Sequence, residues 1–113
     1  RLEIMRLELA ALLALGEGRG DEAVHLLRDA AALEESLPLE FGPPASLKPP
    51  HELLGEILAE LGRPAEAVEA FQGSLALTPL RTPSLRGLAA AARAAGIHDL
   101  AADTERQIEE IVR

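Results

Sequence analysis

The sequence contains no cysteine, no tryptophan and no tyrosine, and only two phenylalanines. Without cysteine there are no disulfide staples, no thiolate nucleophile and no zinc–sulfur site, although this says nothing of the compartment. Without tryptophan or tyrosine there is no platform for stacked bases. The net charge of −8 at pH 7 repels a phosphate backbone. Together these two features exclude nucleic acid as a partner. Long apolar runs are also missing. No uninterrupted stretch reaches the roughly 20 residues of a membrane span. Residues 1–16 are studded with arginine and glutamate, unlike a signal peptide. The first residue is Arg1 rather than methionine, which fits a fragment or a processed product. The expectation is a soluble protein, cytoplasmic or exported after processing, with no membrane span.

What is present is aliphatic. Hydrophobic residues make up 48% of the 113 residues but aromatics only 2%, so a core must be built from leucine and alanine at short helix–helix distances. The length fits one domain, residues 1–113. Its clearest stretch is 51–79, HELLGEILAELGRPAEAVEAFQGSLALTP. Leu53, Leu54, Ile57, Leu58 and Leu61 recur at helical spacing, which predicts a helix from His51 to Leu61. Gly62 follows, where a left-handed cap is cheapest for glycine. Pro64 then suits the first turn of a second helix, because no backbone donor is needed there. That helix carries Ala67, Val68, Phe71, Leu75 and Leu77, and Pro79 marks its end.

The same stretch resembles the tetratricopeptide repeat family. Leu54-Gly55, Ala67, Phe71 and Pro79 match its pattern, with His51 at the usual tryptophan, Leu58 at the usual tyrosine and Ser74 where alanine is common. The match is widest over HELLGEILAELGRPAEAVEAF, a segment like those of bacterial tetratricopeptide proteins of unassigned role. In physical terms, Gly55 and Ala67 remove bulk so that paired helices can touch, and Phe71 fills the gap toward the next unit. Gly62 and Gly96 lie 34 residues apart, which is the tetratricopeptide period, and Gly18 and Gly62 lie 44 apart. Each glycine is followed at one spacing by an alanine: Ala23, Ala67 and Ala101. The resemblance implies an all-α solenoid of three hairpins, six helices in a short right-handed superhelix. Repeat one covers about 4–37, a proline-rich insertion 38–47, repeat two 48–81 and repeat three 82–113.

The other segments read as looser copies. Residues 1–16 predict a helix with two apolar faces, Leu2, Met5, Leu9 and Leu12 on one, Ile4, Leu7, Ala11 and Ala14 on the other. One face can bury inside the domain; the second needs an upstream repeat, a partner or another copy of the chain. After the break at residues 16–20, a helix over 21–36 turns Ala23, Leu26, Leu27, Ala30 and Leu33 inward. In the insertion PLEFGPPASL, Leu39 and Phe41 are too apolar for a free linker. Two readings stand: a loop pinned by Phe41 outside the hairpins, or one folded across the groove. A helix over 82–95 follows, capped by Thr82 or Ser84, with Leu85, Leu88, Ala89 and Ala92 packed. The last, over 99–112, carries Leu100, Ala101, Ile108, Ile111 and Val112, with Glu105 where Phe71 stood. Both ends of the array look poorly capped.

Chemistry is scarce. His51-Glu52-Leu53-Leu54-Gly55 opens like a zinc-peptidase motif, but glycine stands where the second histidine must be, so His51 reads as a packing residue. His25 and His98 are isolated. The glycine-rich turn at 16–20 lacks the lysine and strand of a phosphate loop. Arg19-Gly20-Asp21 spells an adhesion tripeptide that turn and cap needs already explain. The expectation is a protein that is not an enzyme, with no cofactor and no metal.

Glu52, Glu56 and Glu60 form an acidic stripe, and like charges four apart are unfavourable unless offset. Arg86 and Arg93 on the neighbouring helix could offset them. By family register these residues lie on the concave groove, together with Met5, Glu8 and Leu12. Residues that in some tetratricopeptide domains clamp a carboxylate terminus are absent: the matching positions hold Glu8, Leu12, Leu53, Pro83 and Gly87. The first expectation is therefore a non-catalytic scaffold whose groove takes a basic or amphipathic peptide or protein through Met5, Glu8, Leu12, Glu52, Glu56, Glu60, Arg86 and Arg93. The alternative is a self-assembling subunit, stacking head to tail through Leu2 and Leu9 at one end and Ile108, Ile111 and Val112 at the other, into a filament or a ring.

Overall fold

A computed structural model describes residues 2–36 and 48–112. Both readings of the insertion 38–47 fall outside the described residues. The described chain is all-helical, with no strand: α1 (Leu2–Gly16), α2 (Gly20–Ser36), α3 (Pro50–Glu60), α4 (Pro64–Leu77), α5 (Thr82–Ala94) and α6 (His98–Val112). None of these helices is long and apolar enough to cross a membrane. Each packs on its successor, and α3 also touches α5. The molecule measures 36 × 35 × 20 Å, and its short dimension is two helix layers of about 10 Å each.

One turn is used three times. Gly18, Gly62 and Gly96 have φ of 79°, 75° and 80°, the left-handed region that a side chain disfavours. At each, the glycine N–H donates three residues back and the next N–H donates five residues back. Arg19 N reaches Ala14 O at 2.8 Å, Arg63 N reaches Leu58 O at 2.9 Å, and Ile97 N reaches Ala92 O at 2.8 Å. This pattern closes a helix C-terminus and satisfies its orphan carbonyls. The residue after the glycine then opens the next helix. The carbonyls of Arg19, Arg63 and Ile97 accept from Ala23, Ala67 and Ala101 at 3.1, 3.0 and 3.1 Å. All three alanines are fully buried, so the side chain after each turn touches the preceding helix directly.

The starts of α3, α4 and α5 use proline in the first turn and no side-chain cap. Thr82 and Ser84 do not cap α5. Its N-cap is Arg81, and Ser84 is turned inward. Among the described residues Phe71 is the largest fully buried side chain. Its ring lies against both Gly55 and Gly87: a Cβ built on Gly55 would fall 2.8 Å from the ring, and one on Gly87 only 2.4 Å. Gly55 therefore makes room for an aromatic ring as well as for its partner helix. His51 packs over Gly73 in the same way, with Nδ1 2.7 Å from where a Cβ would stand.

Of the two apolar faces of α1, the structure buries the one carrying Ile4, Ala11 and Ala14. Alanine lets α1 lie close to Ala23 and Leu27 of α2; leucines there would hold it off. In α2, Val24 and Ala31 are buried, whereas Leu33 is not. In α6 only Ala101 and Thr104 are buried, and Thr104 Oγ1 donates to the Leu100 carbonyl at 2.7 Å. Glu105 is exposed and pairs with Arg93, as suits an outer helix.

Candidate functional site

The acidic stripe divides into three residues with three fates. Glu52 has no exposed surface at all. Its Oε1 accepts from Ser84 Oγ at 2.6 Å and from Arg81 Nε at 2.8 Å, and its Oε2 accepts from an Arg81 guanidinium nitrogen at 3.0 Å. Ser74 Oγ lies 2.7 Å from Ser84 Oγ. Because Ser84 spends its one proton on the carboxylate, Ser74 donates to Ser84. Burial alone would raise the Glu52 pKa. The bonds from Arg81 and Ser84, with the charges of Arg81 and Lys48, outweigh it and hold the carboxyl below its ordinary value. This chain of polar groups joins α3, α4, the α4–α5 connection and α5. It is a fully paired buried network, and it fixes how those helices sit.

Glu56 is half-buried, and Lys48 Nζ donates to both its oxygens at 2.9 and 2.8 Å. Glu60 is exposed. The expected offset by Arg86 and Arg93 is therefore not what the structure contains. Lys48 and Arg81 neutralise the stripe, Arg93 serves Glu105, and Arg86 is exposed with no ion pair among the described residues. Glu52, expected to line an open groove, is sealed inside the domain and unavailable to a partner. The reason is that Arg81, 29 residues away, folds over it.

Glu8 is likewise buried rather than open, at 5% exposure. Of the other groove residues on α1, Met5 is half-buried and Leu12 exposed. Leu12 belongs to a ridge that nothing in the described chain covers. Leu2, Leu9 and Leu13 are 81%, 59% and 65% exposed, and Met5, Leu9 and Leu12 follow one another at helical spacing between them. At the other end Ile108 is half-buried, while Ile111 and Val112 are 38% and 61% exposed.

Arg86 and Arg93 flank an open hollow of about 590 Å³ between α5 and α6, floored by Ala89, Ala90 and Ala94 and walled by Ile108 and Glu105. A smaller hollow, about 230 Å³, lies between α2 and the α3–α4 pair beside His51 and Glu35. Burial lowers the His51 pKa and Glu35 only partly opposes this, with His51 Nε2 3.7 Å from Glu35 Oε1, beyond hydrogen-bond range. Neither hollow brings a nucleophile to a base. Among the described residues no cluster of histidine, aspartate and glutamate could hold a metal ion.

Arg81, Ser74 and Ser84 are the residues whose part the sequence hid. The two residues that hydrogen-bond Glu52, Arg81 and Ser84, stand 29 and 32 residues from it, and no local spacing links them to it. The comparisons with known proteins add no further constraint: no family model and no curated protein matches the chain.

Proposed function

We propose that the chain is a helical-repeat scaffold of the tetratricopeptide kind, a short solenoid of three hairpins that performs no chemistry and holds a partner. Three observations support the solenoid: the same glycine turn recurs at Gly18, Gly62 and Gly96; a fully buried alanine follows each at one spacing; and Phe71 bridges consecutive pairs. The partner is an amphipathic helix with a basic polar face. It lies along α1 with its apolar side on Met5, Leu9, Leu12 and Leu13, and its cations meet a protein whose net charge is −8.

The observation that carries this reading is the uncovered leucine ridge of α1. Lone exposed leucines are ordinary; a continuous row along one helix is the mark of an interface. The test uses a synthetic amphipathic helix with a leucine face and a lysine face, followed by fluorescence anisotropy. Leu9→Glu with Leu12→Glu should abolish binding while circular dichroism stays unchanged. Binding that survives those two substitutions rejects the ridge as the docking surface.

The second reading, head-to-tail assembly, is favoured by the apolar residues exposed at both ends, Leu2 and Leu9 on α1 with Ile111 and Val112 on α6. Sedimentation separates the two. A species that grows with concentration and is reduced to monomer by Ile111→Glu with Val112→Glu supports assembly; a monomer at all concentrations removes it.

A further inference from the structure

The surface that holds α5 recurs one hairpin further on. In the seat of α5, Glu52 accepts from Arg81 and Ser84, Ser74 meets Ser84, and the Phe71 ring lies against both Gly55 and Gly87. The seat is thus marked by Glu52, Gly55, Phe71 and Ser74. Advanced by the 34 residues that separate Gly62 from Gly96, these positions become Arg86, Ala89, Glu105 and Ile108. All four line the open hollow of about 590 Å³, which is formed by residues of α5 and α6 alone. The hollow is therefore the counterpart of an occupied helix seat.

The same comparison identifies a helix that fits it. Gly18 and Gly96 lie 78 residues apart and close α1 and α5 with the same turn. Ala11 and Ala14 are buried in α1 as Ala89 and Ala92 are in α5, so both helices turn the same register inward. The residues by which α5 meets its seat, Arg81, Ser84 and Gly87, correspond in α1 to Glu3, Arg6 and Leu9, all exposed. Charge is exchanged between the two cases. Arg81 on Glu52 becomes Glu3 on Arg86, and Arg86 has no ion pair among the described residues. Bulk is exchanged as well. In the α5 seat the Phe71 ring fills the space that Gly87 leaves; in the hollow Glu105 turns to Arg93, and Leu9 supplies the missing side chain.

We propose that the hollow between α5 and α6 is a docking seat for α1 of a second copy, with Glu3 of one copy paired to Arg86 of the other. This rests on the head-to-tail reading above and deepens it by naming the two surfaces that meet. Leu9 covers the alanine floor beside Ile108, and Arg6, at the register of Ser84, finds Glu105 in the same hollow as its counter-charge. In the free chain Glu3 pairs with Arg6 across the surface, an exposed contact that contributes little and is readily exchanged for Arg86. Each copy carries a net charge of −8, so long-range repulsion opposes any contact between copies. The local pair of opposite sign then selects this face over the others.

The test is sedimentation velocity on the intact chain at about 0.15 M salt, where charges are screened beyond about 8 Å. The unaltered protein should form species that grow with concentration. Arg86→Glu alone and Glu3→Arg alone should each sediment as monomer, with circular dichroism unchanged. Mixed in equal amounts, the two variants should assemble again, because every joint between unlike copies brings opposite charges together. The double variant, Glu3→Arg with Arg86→Glu, should assemble by itself for the same reason. Assembly that ignores Arg86→Glu yet is lost with Ile111→Glu and Val112→Glu overturns this seat and leaves the head-to-tail reading standing. Single variants that stay monomeric when mixed also overturn it. An unaltered protein that is monomeric at every concentration removes both.

Discussion

Gly87→Ala tests the packing of α5 against Phe71 by the sign of its effect. The added Cβ would lie 2.4 Å from Cε1 and Cζ of Phe71 and 2.9 Å from Cε2. Carbon atoms in contact rest about 3.5–4.0 Å apart, so the ring must withdraw by roughly 1 Å. It has little room to do so, because the same ring also lies against Gly55, where a Cβ would stand 2.8 Å from Cε2 and Cζ. Overpacking of this kind costs about 1–3 kcal/mol. Alanine within a helix returns about 1 kcal/mol relative to glycine. The net expectation is a loss of about 1 kcal/mol in the unaltered protein. In a Phe71→Leu background the obstruction is gone and only the helix preference remains, so the same Gly87→Ala change should stabilise by about 0.5–1 kcal/mol. Urea unfolding followed by circular dichroism measures all four proteins of the cycle, provided the slopes agree. Equal stabilisation by Gly87→Ala in both backgrounds would refute the wedge.

Arg81→Ala should cost about 3–5 kcal/mol at pH 7, because it strands the Glu52 carboxylate inside the domain; equilibrium unfolding reads this directly. The same network has a pH signature. Glu52 is held below its ordinary 4.5, so its contribution is present above that value and disappears as the pH falls through its lower folded pKa. Thermal melts between about pH 2 and 5 should show that acid limb in the unaltered protein, and a flatter one in Arg81→Ala. Where no side chain crowds the site, glycine substitutions should divide by backbone conformation. Gly62→Ala forces a side chain to φ of 75° and should lose about 1–2 kcal/mol. Gly16→Ala meets nothing within 4 Å and has an ordinary φ, so it should gain up to about 1 kcal/mol, both read as shifts in denaturant midpoint.

Helix positions were legible because glycine and proline punctuate the chain. The helix expected over 51–61 runs over Pro50–Glu60, that over 82–95 over Thr82–Ala94, and that over 99–112 over His98–Val112. The turn spacing at Gly18, Gly62 and Gly96 could be read with no structure at all. Burial was less legible where several faces compete. Helix α1 carries leucine on one side and alanine on another, and leucine is the stronger hydrophobe. Close packing chose the alanines, a choice that depends on the distance to α2. The Glu52 network was invisible for another reason. A glutamate repeated every four residues is the pattern of a wet face, and only the return of Arg81 from beyond α4 makes one of the three dry. Ser84 looked like a cap because capping residues are the ones that also serve as short buried donors.

The ring of Phe71 is common property of two neighbouring pairs, and the buried chain from Ser74 through Ser84 to Glu52 crosses the same boundary. Among the described residues no buried network of this kind ties α1 and α2 to the remainder, which they meet chiefly where α2 rests on α3, with the surface pairs Arg28–Glu66 and Asp21–Arg63 beside it. The last four helices should thus melt as one block, while the first two can detach earlier and at lower cost. A binder clasping the leucines of α1 would grip the loosest third of the molecule, and its arrival would be felt mainly as a stiffening of that third.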